Sequence, residues 1–147
     1  MMRSGLHQVA MTLATLCLCT AATAGDHSKR CSPATLSGTW LLAGTGSTFV
    51  GGNWVPKAIV QQMHFGGDGT VIVPVGTVAN RFGDGAVTPL APTALTGTYT
   101  LEANCVGTYQ IGVAPSFDLY ADPDGKEAWM IQTNPNNVFQ VKMVKLD

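Results

Sequence analysis

A patterned stretch over residues 97–111 constrains the fold of this chain more than any other. Tyr99 and Leu101 alternate with polar residues before a polar turn, and Tyr109 and Ile111 do so after it. Alternation with a period of two on both sides of a turn is typical of a β-hairpin. A cysteine lies near the bend, so the stretch predicts a secreted, antiparallel β domain in which this hairpin anchors a disulfide.

The first 24 residues have the pattern of a secretory signal peptide. Arg3 supplies positive charge, an apolar run spans residues 9–19, and Ala22-Thr23-Ala24 is a small-x-small cleavage site. The apolar run is far shorter than the ~20 residues that a membrane-spanning helix needs. We therefore expect cleavage after Ala24, a secreted or periplasmic location, no membrane span, and one β domain over residues 25–147.

The cysteines support the same compartment. Cys17 and Cys19 belong to the predicted leader, so Cys31 and Cys105 remain in the mature chain. Two remaining thiols in an oxidising compartment are expected to pair. A bond between Cys31 and Cys105 would close the long loop that lies between them, and the chain-entropy model assigns such a loop at most roughly 4.5 kcal/mol of stabilisation. Two cysteines alone do not make a structural zinc site, and we predict no metal.

Short strand-like segments fill the rest of the chain, separated by turns rich in Gly, Pro, Asn and Asp. They span residues 36–44, 58–65, 70–78, 97–113 (the cysteine hairpin), 116–121, 126–133 and 138–146. Nearly every connection is a short hairpin, and a sheet of this size protects its edges by closing or by folding into a sandwich. The sequence therefore predicts an all-β fold, a small antiparallel up-and-down β-barrel of about eight strands.

Two motifs resemble a known group of proteins. Leu36-Ser37-Gly38-Thr39-Trp40 is similar to the Gly-x-Trp opening of lipocalin-like, or calycin, barrels, and the stretch 97–108 resembles a motif of secreted bacterial proteins in the allene oxide cyclase barrel-like group. The resemblance implies an eight-stranded barrel with an apolar lumen, in which some relatives cyclise reactive polyene-type substrates. No catalytic motif of the plant enzymes matches residue by residue, so activity is implied at the level of the fold alone.

In a closed barrel one parity of each strand faces the lumen. Assigning the apolar parity inward gives the predicted lining: Trp40, Leu42, Ile59, Met63, Phe65, Val71, Val73, Tyr99, Leu101, Tyr109, Ile111, Phe117, Leu119, Trp129, Ile131, Phe139, Val141 and Met143. The predicted ligand contacts are Gln61, which shares this parity, and seven of the lining residues: Trp40, Met63, Tyr99, Tyr109, Phe117, Trp129 and Phe139. His64 and Lys142 have the opposite parity and are expected outside.

Two residues are candidates for acid/base chemistry, Glu127 and Tyr99. Glu127 shares the assigned inward parity of Trp129, and a carboxyl group in an apolar lumen has a raised pKa, as such chemistry requires. The alternative places Glu127 in solvent at a barrel mouth, beside the Asp124-Gly125 turn. We expect the solvated outcome, because exposed carboxylates are far commoner than perturbed ones.

Three functions follow from these observations. The leading hypothesis is binding of a small apolar molecule in the lumen, although side chains alone can fill an eight-stranded barrel. The second is a cyclase or isomerase acting on a flexible hydrophobic substrate. The third is a protease inhibitor of calycin-like type, with residues 25–33 as its arm. The formal net charge of -1 and the absence of a basic patch argue against nucleic acid, and no cofactor is predicted.

Overall fold

The computed structural model of the chain describes residues 30–80, 87–89 and 95–146. The predicted signal peptide and its cleavage site lie outside these residues, as does much of the predicted Gly- and Pro-rich loop over residues 83–92. A short 3₁₀-helix, Pro33–Leu36, precedes nine strands: β1 (Gly38–Val50), β2 (Asn53–Phe65), β3 (Thr70–Asn80), β4 (Val87–Pro89), β5 (Leu95–Tyr99), β6 (Val106–Ile111), β7 (Ser116–Ala121), β8 (Glu127–Gln132) and β9 (Asn137–Lys145).

Eight of these strands form a closed ring. Each pairs with the next along the chain, from β1 through β2, β3, β5, β6, β7 and β8 to β9, and β9 pairs back with β1. All the pairings are antiparallel, and the three-residue β4 pairs with β3. The fold is an antiparallel up-and-down barrel of eight strands, as predicted from the sequence.

The hairpin of β1 and β2 is longer than the sequence predicted. Its register runs from Gly38 opposite Phe65 to Val50 opposite Asn53, whereas the predicted strands ended at residue 44 and began at residue 58. Gly51 and Gly52 close the hairpin with φ values of 57° and 84°. A two-residue turn with positive φ at both positions matches the twist of paired strands, and glycine adopts it without strain.

The 3₁₀-helix covers one end of the barrel. Its last residue, Leu36, is fully buried, and the Leu36 carbonyl accepts a 2.7 Å hydrogen bond from Trp40 Nε1. The predicted disulfide is present: Cys31 and Cys105 are bonded with their Cα atoms 4.9 Å apart, within the range that a disulfide can bridge. The bond ties the segment before the helix to the bend of the cysteine hairpin.

The predicted inward parity is confirmed for the other strands to which it was assigned (β1, β2, β3, β5, β6, β7 and β9), but not for β8. The predicted lining residues outside β8 are buried, apart from the half-buried Ile59 and Ile111. In β8, however, Trp129 and Ile131 are exposed, and Ala128 and Met130 face the lumen. The prediction for this strand was wrong because both of its parities are apolar, so periodicity alone could not distinguish them.

The cross-strand register explains the orientation of β8. Ala128 is fully buried in a layer with its two cross-strand partners, Met143 of β9 and Ala121 of β7. A methyl side chain completes this layer, where an indole would overpack it. Trp129 therefore faces outward between Tyr120 and Lys142, its two cross-strand partners.

Candidate functional site

The lumen has two halves of different character. In the packed half, below the 3₁₀-helix, large side chains leave little space: Leu36, Trp40, Phe65, Leu119 and Met143 are each fully buried. The cavity half, at the other end, contains a cavity of about 250 Å³. Its lining is mostly aliphatic and aromatic: Leu42, Thr48, Lys57, Ile59, Gln61, Val73, Val78, Leu95, Tyr109, Ile111, Pro115, Phe117, Met130, Gln132, Phe139 and Val141.

A continuous series of aromatic rings connects the two halves. Phe65 contacts Trp40 and Tyr99 edge-to-face, with centroid separations of 6.1 and 4.9 Å, and its centroid is 6.2 Å from that of Tyr109. The series continues from Tyr109 to Phe117 at 5.7 Å and from Phe117 to Phe139 at 6.4 Å. These rings hold one another in place, so the aromatic wall of the cavity is rigidly supported from the packed half.

Gly46 of β1 determines where the Phe139 ring lies. A Cβ atom on Gly46 would come within 2.9 Å of Phe139 Cδ2 and would also meet the carbonyl of Val138. The missing side chain therefore allows Phe139 of β9 to pack directly against the β1 backbone. This packing brings the Phe139 ring beneath the side chain of Lys57.

Lys57 is the charged residue of the cavity wall. Its Nζ donates hydrogen bonds to Gln132 Oε1 at 2.7 Å and to Asn137 Oδ1 at 3.1 Å, and lies 4.3 Å from the centroid of the Phe139 ring. The two acceptors are neutral amides. Partial burial of the ammonium group lowers the pKa of Lys57, because a charge is less stable away from water.

Both amides that bind Lys57 are themselves oriented by hydrogen bonds. Asn137 Nδ2 donates to the Pro135 carbonyl at 2.9 Å, and Asn137 Oδ1 also accepts from Thr48 Oγ1 at 2.8 Å. Gln132 Nε2 donates to Asn134 Oδ1 at 3.3 Å. With their amide nitrogens engaged in this way, both residues present oxygen to the ammonium group, which fixes the cation at the rim of the cavity.

A second polar group lies deeper in the cavity wall. Tyr109 is 2% exposed, and its hydroxyl has no well-aligned hydrogen-bond partner among the described residues. Burial raises the pKa of the Tyr109 phenol, and a weak side-chain hydrogen bond with Gln61, itself 7% exposed, acts in the opposite direction. The hydroxyl is closed off from the cavity space, so its burial without a well-aligned partner is a cost to the stability of the fold.

The predicted ligand contacts fall into three groups. Gln61, Tyr109, Phe117 and Phe139 line the cavity. Trp40, Met63 and Tyr99 are buried away from it, and Trp129 is on the outer surface. Contact with a ligand remains a prediction for the first group.

Neither candidate for acid/base chemistry lines the cavity. Glu127 is on the outside of the barrel, where its Oε1 accepts a 2.9 Å hydrogen bond from Lys142 Nζ and its side chain is 39% exposed. The Tyr99 hydroxyl donates to the Pro33 carbonyl at 2.8 Å and accepts from the backbone N–H of Gly67 at 3.1 Å. Those two bonds commit the Tyr99 hydroxyl to the covered end of the barrel.

The sequence reasoning missed three polar residues of the cavity lining, Thr48, Lys57 and Gln132, and Thr48 lies beyond residue 44, where the predicted first strand ended. Lys57 has the parity of Ile59 and Gln61, but the predicted strand began at residue 58 and excluded it. Gln132 has the parity of Met130, which was assigned outward in β8. Extending the alternation of β2 back toward the Gly51-Gly52 turn would have placed Lys57 on the inward face.

Three searches gave negative results. No helix in residues 30–80, 87–89 and 95–146 is long and apolar enough to cross a membrane. The same part of the chain contains no group of three or more His, Cys, Asp or Glu side chains that could hold a metal ion. Comparisons of the chain with protein-family models, with curated proteins and with solved structures found no match.

Proposed function

We propose that this protein binds a small, largely apolar molecule in the cavity half of its barrel. The observation that carries the proposal is the cavity of about 250 Å³, whose wall is aliphatic and aromatic with a few polar groups. Such a combination is typical of small-molecule sites, in which apolar surface provides affinity and single polar groups fix orientation. At slightly below the usual range of roughly 300–1,000 Å³, the cavity favours a compact ligand.

The proposal predicts a bound compound that depends on the cavity. Native mass spectrometry of protein purified without denaturation from its own host is expected to show a small-molecule adduct. Ile111→Trp fills the cavity from its wall, so this variant is expected to lose the adduct. Ile131→Trp makes the same substitution on the outer surface, where Ile131 is 46% exposed, and is expected to keep it.

Two outcomes of this experiment would contradict the proposal. The first is wild-type protein without any adduct that also binds no member of a panel of small apolar compounds. The second is an adduct retained equally by Ile111→Trp and Ile131→Trp, because that result would place the compound outside the cavity. Circular dichroism of both variants verifies that the barrel is intact.

The alternative functions have less support from the site. A cyclase or isomerase needs an acid/base group at the substrate, and Glu127 and Tyr99 are both committed elsewhere. An inhibitor of calycin-like type needs a free N-terminal arm, whereas the disulfide ties Cys31 to the hairpin at residue 105. Kinship with the allene oxide cyclase barrel-like group rests on the sequence resemblance alone, and only the stretch 97–108 is specific for it.

We further propose that the protein acts outside the cytoplasm, in the periplasm or the extracellular medium. A disulfide is compatible with those compartments, where thiols are oxidised, and the sequence pattern of residues 1–24 points the same way. Fractionation of the host cells tests the location, and N-terminal sequencing of the exported protein tests the cleavage site. A mature chain beginning at Gly25 is expected, and full-length protein in the cytoplasm would contradict the proposal.

A further inference from the structure

Among the described residues, the wall of the cavity has one positive charge and no negative charge to balance it. Lys57 is the one charged side chain among the described residues that line it. An ammonium group has three N–H donors, and two of them go to the neutral oxygens of Gln132 and Asn137. Within the described residues one donor is left for an occupant, and the positive charge is partly removed from water. An anionic group at this point would offset the cost of that burial.

A pure hydrocarbon would leave the Lys57 charge uncompensated at the rim of the cavity. A ligand that combines an apolar body with an anionic end fits better, because its body covers the aliphatic and aromatic wall and its charge meets the Lys57 donor that no described residue occupies.

We infer that the ligand is a small monocarboxylic acid with an apolar body, and that Lys57 selects its carboxylate at the rim of the cavity. This inference rests on the proposed binding function and specifies its ligand class. A single cation matches a single negative charge, whereas a phosphate carries close to two charges and is usually held by several donors. Phe139, beneath the ammonium group, and the two oriented amides hold the cation in position for the carboxylate.

The volume of the cavity limits the length of the acid. At ~30 Å³ for each water-sized group, the space of 250 Å³ corresponds to about eight such groups. An eight-carbon chain such as octanoate matches this volume, with its carboxylate at Lys57 and its chain directed toward the aromatic wall. A long-chain fatty acid would have to leave much of its chain outside the cavity.

The test compares two ligands that share a chain and differ in charge. Calorimetric titration of the wild-type protein at pH 7 with octanoate and with 1-octanol is expected to give about a tenfold tighter dissociation constant for octanoate, the usual gain from a charge-assisted hydrogen bond. In Lys57→Met the two dissociation constants are expected to agree within about twofold. Lys57→Gln is a second neutral variant, whose amide can still hydrogen-bond to Gln132 and Asn137.

Lys142→Met is the matched control, because Lys142 is exposed on the outer surface and bonded to Glu127. It is expected to keep the wild-type preference for octanoate. Equal affinity of the wild-type protein for the two compounds, or an unchanged preference in both Lys57 variants, would overturn the inference while leaving apolar binding intact. Failure of both compounds to bind would overturn the inference, whereas the binding proposal itself is decided by the adduct and by the panel of small apolar compounds.

Discussion

The Tyr99 hydroxyl donates a 2.8 Å hydrogen bond to the Pro33 carbonyl, joining strand β5 to the first residue of the 3₁₀-helix. The same oxygen accepts from the backbone N–H of Gly67 at 3.1 Å, in the turn between β2 and β3. One phenol thus connects the helix that covers the barrel to strand β5 and to the turn between β2 and β3. The helix is consequently fixed over this end of the barrel by hydrogen bonds as well as by the burial of Leu36.

Tyr99→Phe is expected to destabilise the protein by about 1–3 kcal/mol, because it leaves the Pro33 carbonyl and the Gly67 N–H without their partner. Tyr109→Phe is the matched control, since the Tyr109 hydroxyl has no such partner among the described residues. Its removal is expected to be neutral or stabilising. Urea unfolding at pH 7 measures both values, and a Tyr109→Phe cost equal to that of Tyr99→Phe would contradict this assignment.

Alkaline pH is expected to destabilise the folded state through Tyr109. Burial raises the pKa of this phenol above its unfolded value of about 10, so above that pH the unfolded chain loses the proton first. The folded state then binds more protons than the unfolded state, and the free energy of unfolding falls as pH rises. Between pH 9 and 11, Tyr109→Phe should therefore lose about 1 kcal/mol less stability than the wild-type protein.

Urea unfolding at several pH values from 8 to 11 measures this difference. Contributions from other groups cancel, including the opposite effect of the lowered Lys57 pKa, because both proteins contain those groups. Tyr120→Phe serves as the control, since it removes a phenol from the outer surface, where Tyr120 is 46% exposed. Parallel pH profiles for the wild-type protein and Tyr109→Phe would refute the expectation.

The disulfide should contribute a large share of the stability of the barrel. It links residues with a sequence separation of 74, and the chain-entropy model assigns roughly 4.5 kcal/mol to a loop of this length. The double variant Cys31→Ser/Cys105→Ser is therefore expected to lose about 2–5 kcal/mol in urea unfolding. Reduced wild-type protein is the comparison, and a loss below about 1 kcal/mol would show that β pairing alone holds the segment before the helix.

The barrel was predictable from the sequence because several separate strand patterns indicate it. Seven segments alternate with a period of two, and turn residues separate neighbours, so an error in one strand does not change the architecture. The disulfide was predictable too, because only Cys31 and Cys105 lie outside the predicted leader. The residues that face the lumen could be predicted wherever the other face of the strand is clearly polar. In β2, for example, His64 is exposed and Met63 and Phe65 are buried.

The polar part of the candidate site was not predictable in the same way. Lys57 is charged, so a binary pattern assigns it to solvent and ends the predicted strand before it, whereas the register with β1 extends β2 to Asn53 and continues its alternation through Lys57. Its partners, Gln132 and Asn137, come from β8 and β9, so their convergence depends on ring closure. The position of the cavity likewise depends on the 3₁₀-helix covering one end of the barrel, and no period in the sequence specifies that arrangement.

The orientation of β8 gives the most direct test of the packing. Trp40 is fully buried and donates through Nε1 to Leu36, whereas Trp129 is 44% exposed beneath Lys142, whose Nζ is 5.5 Å from the Trp129 ring centroid. Trp40→Phe is expected to cost about 2–4 kcal/mol, from lost packing and one lost hydrogen bond. Trp129→Phe, the same change on the outer surface, should cost less than about 1 kcal/mol.

Urea unfolding measures both costs, and acrylamide quenching should lose an accessible emission component in Trp129→Phe but not in Trp40→Phe. Comparable costs for the two variants, with a protected indole at position 129, would mean that β8 faces the other way, and that Gln132 does not reach Lys57.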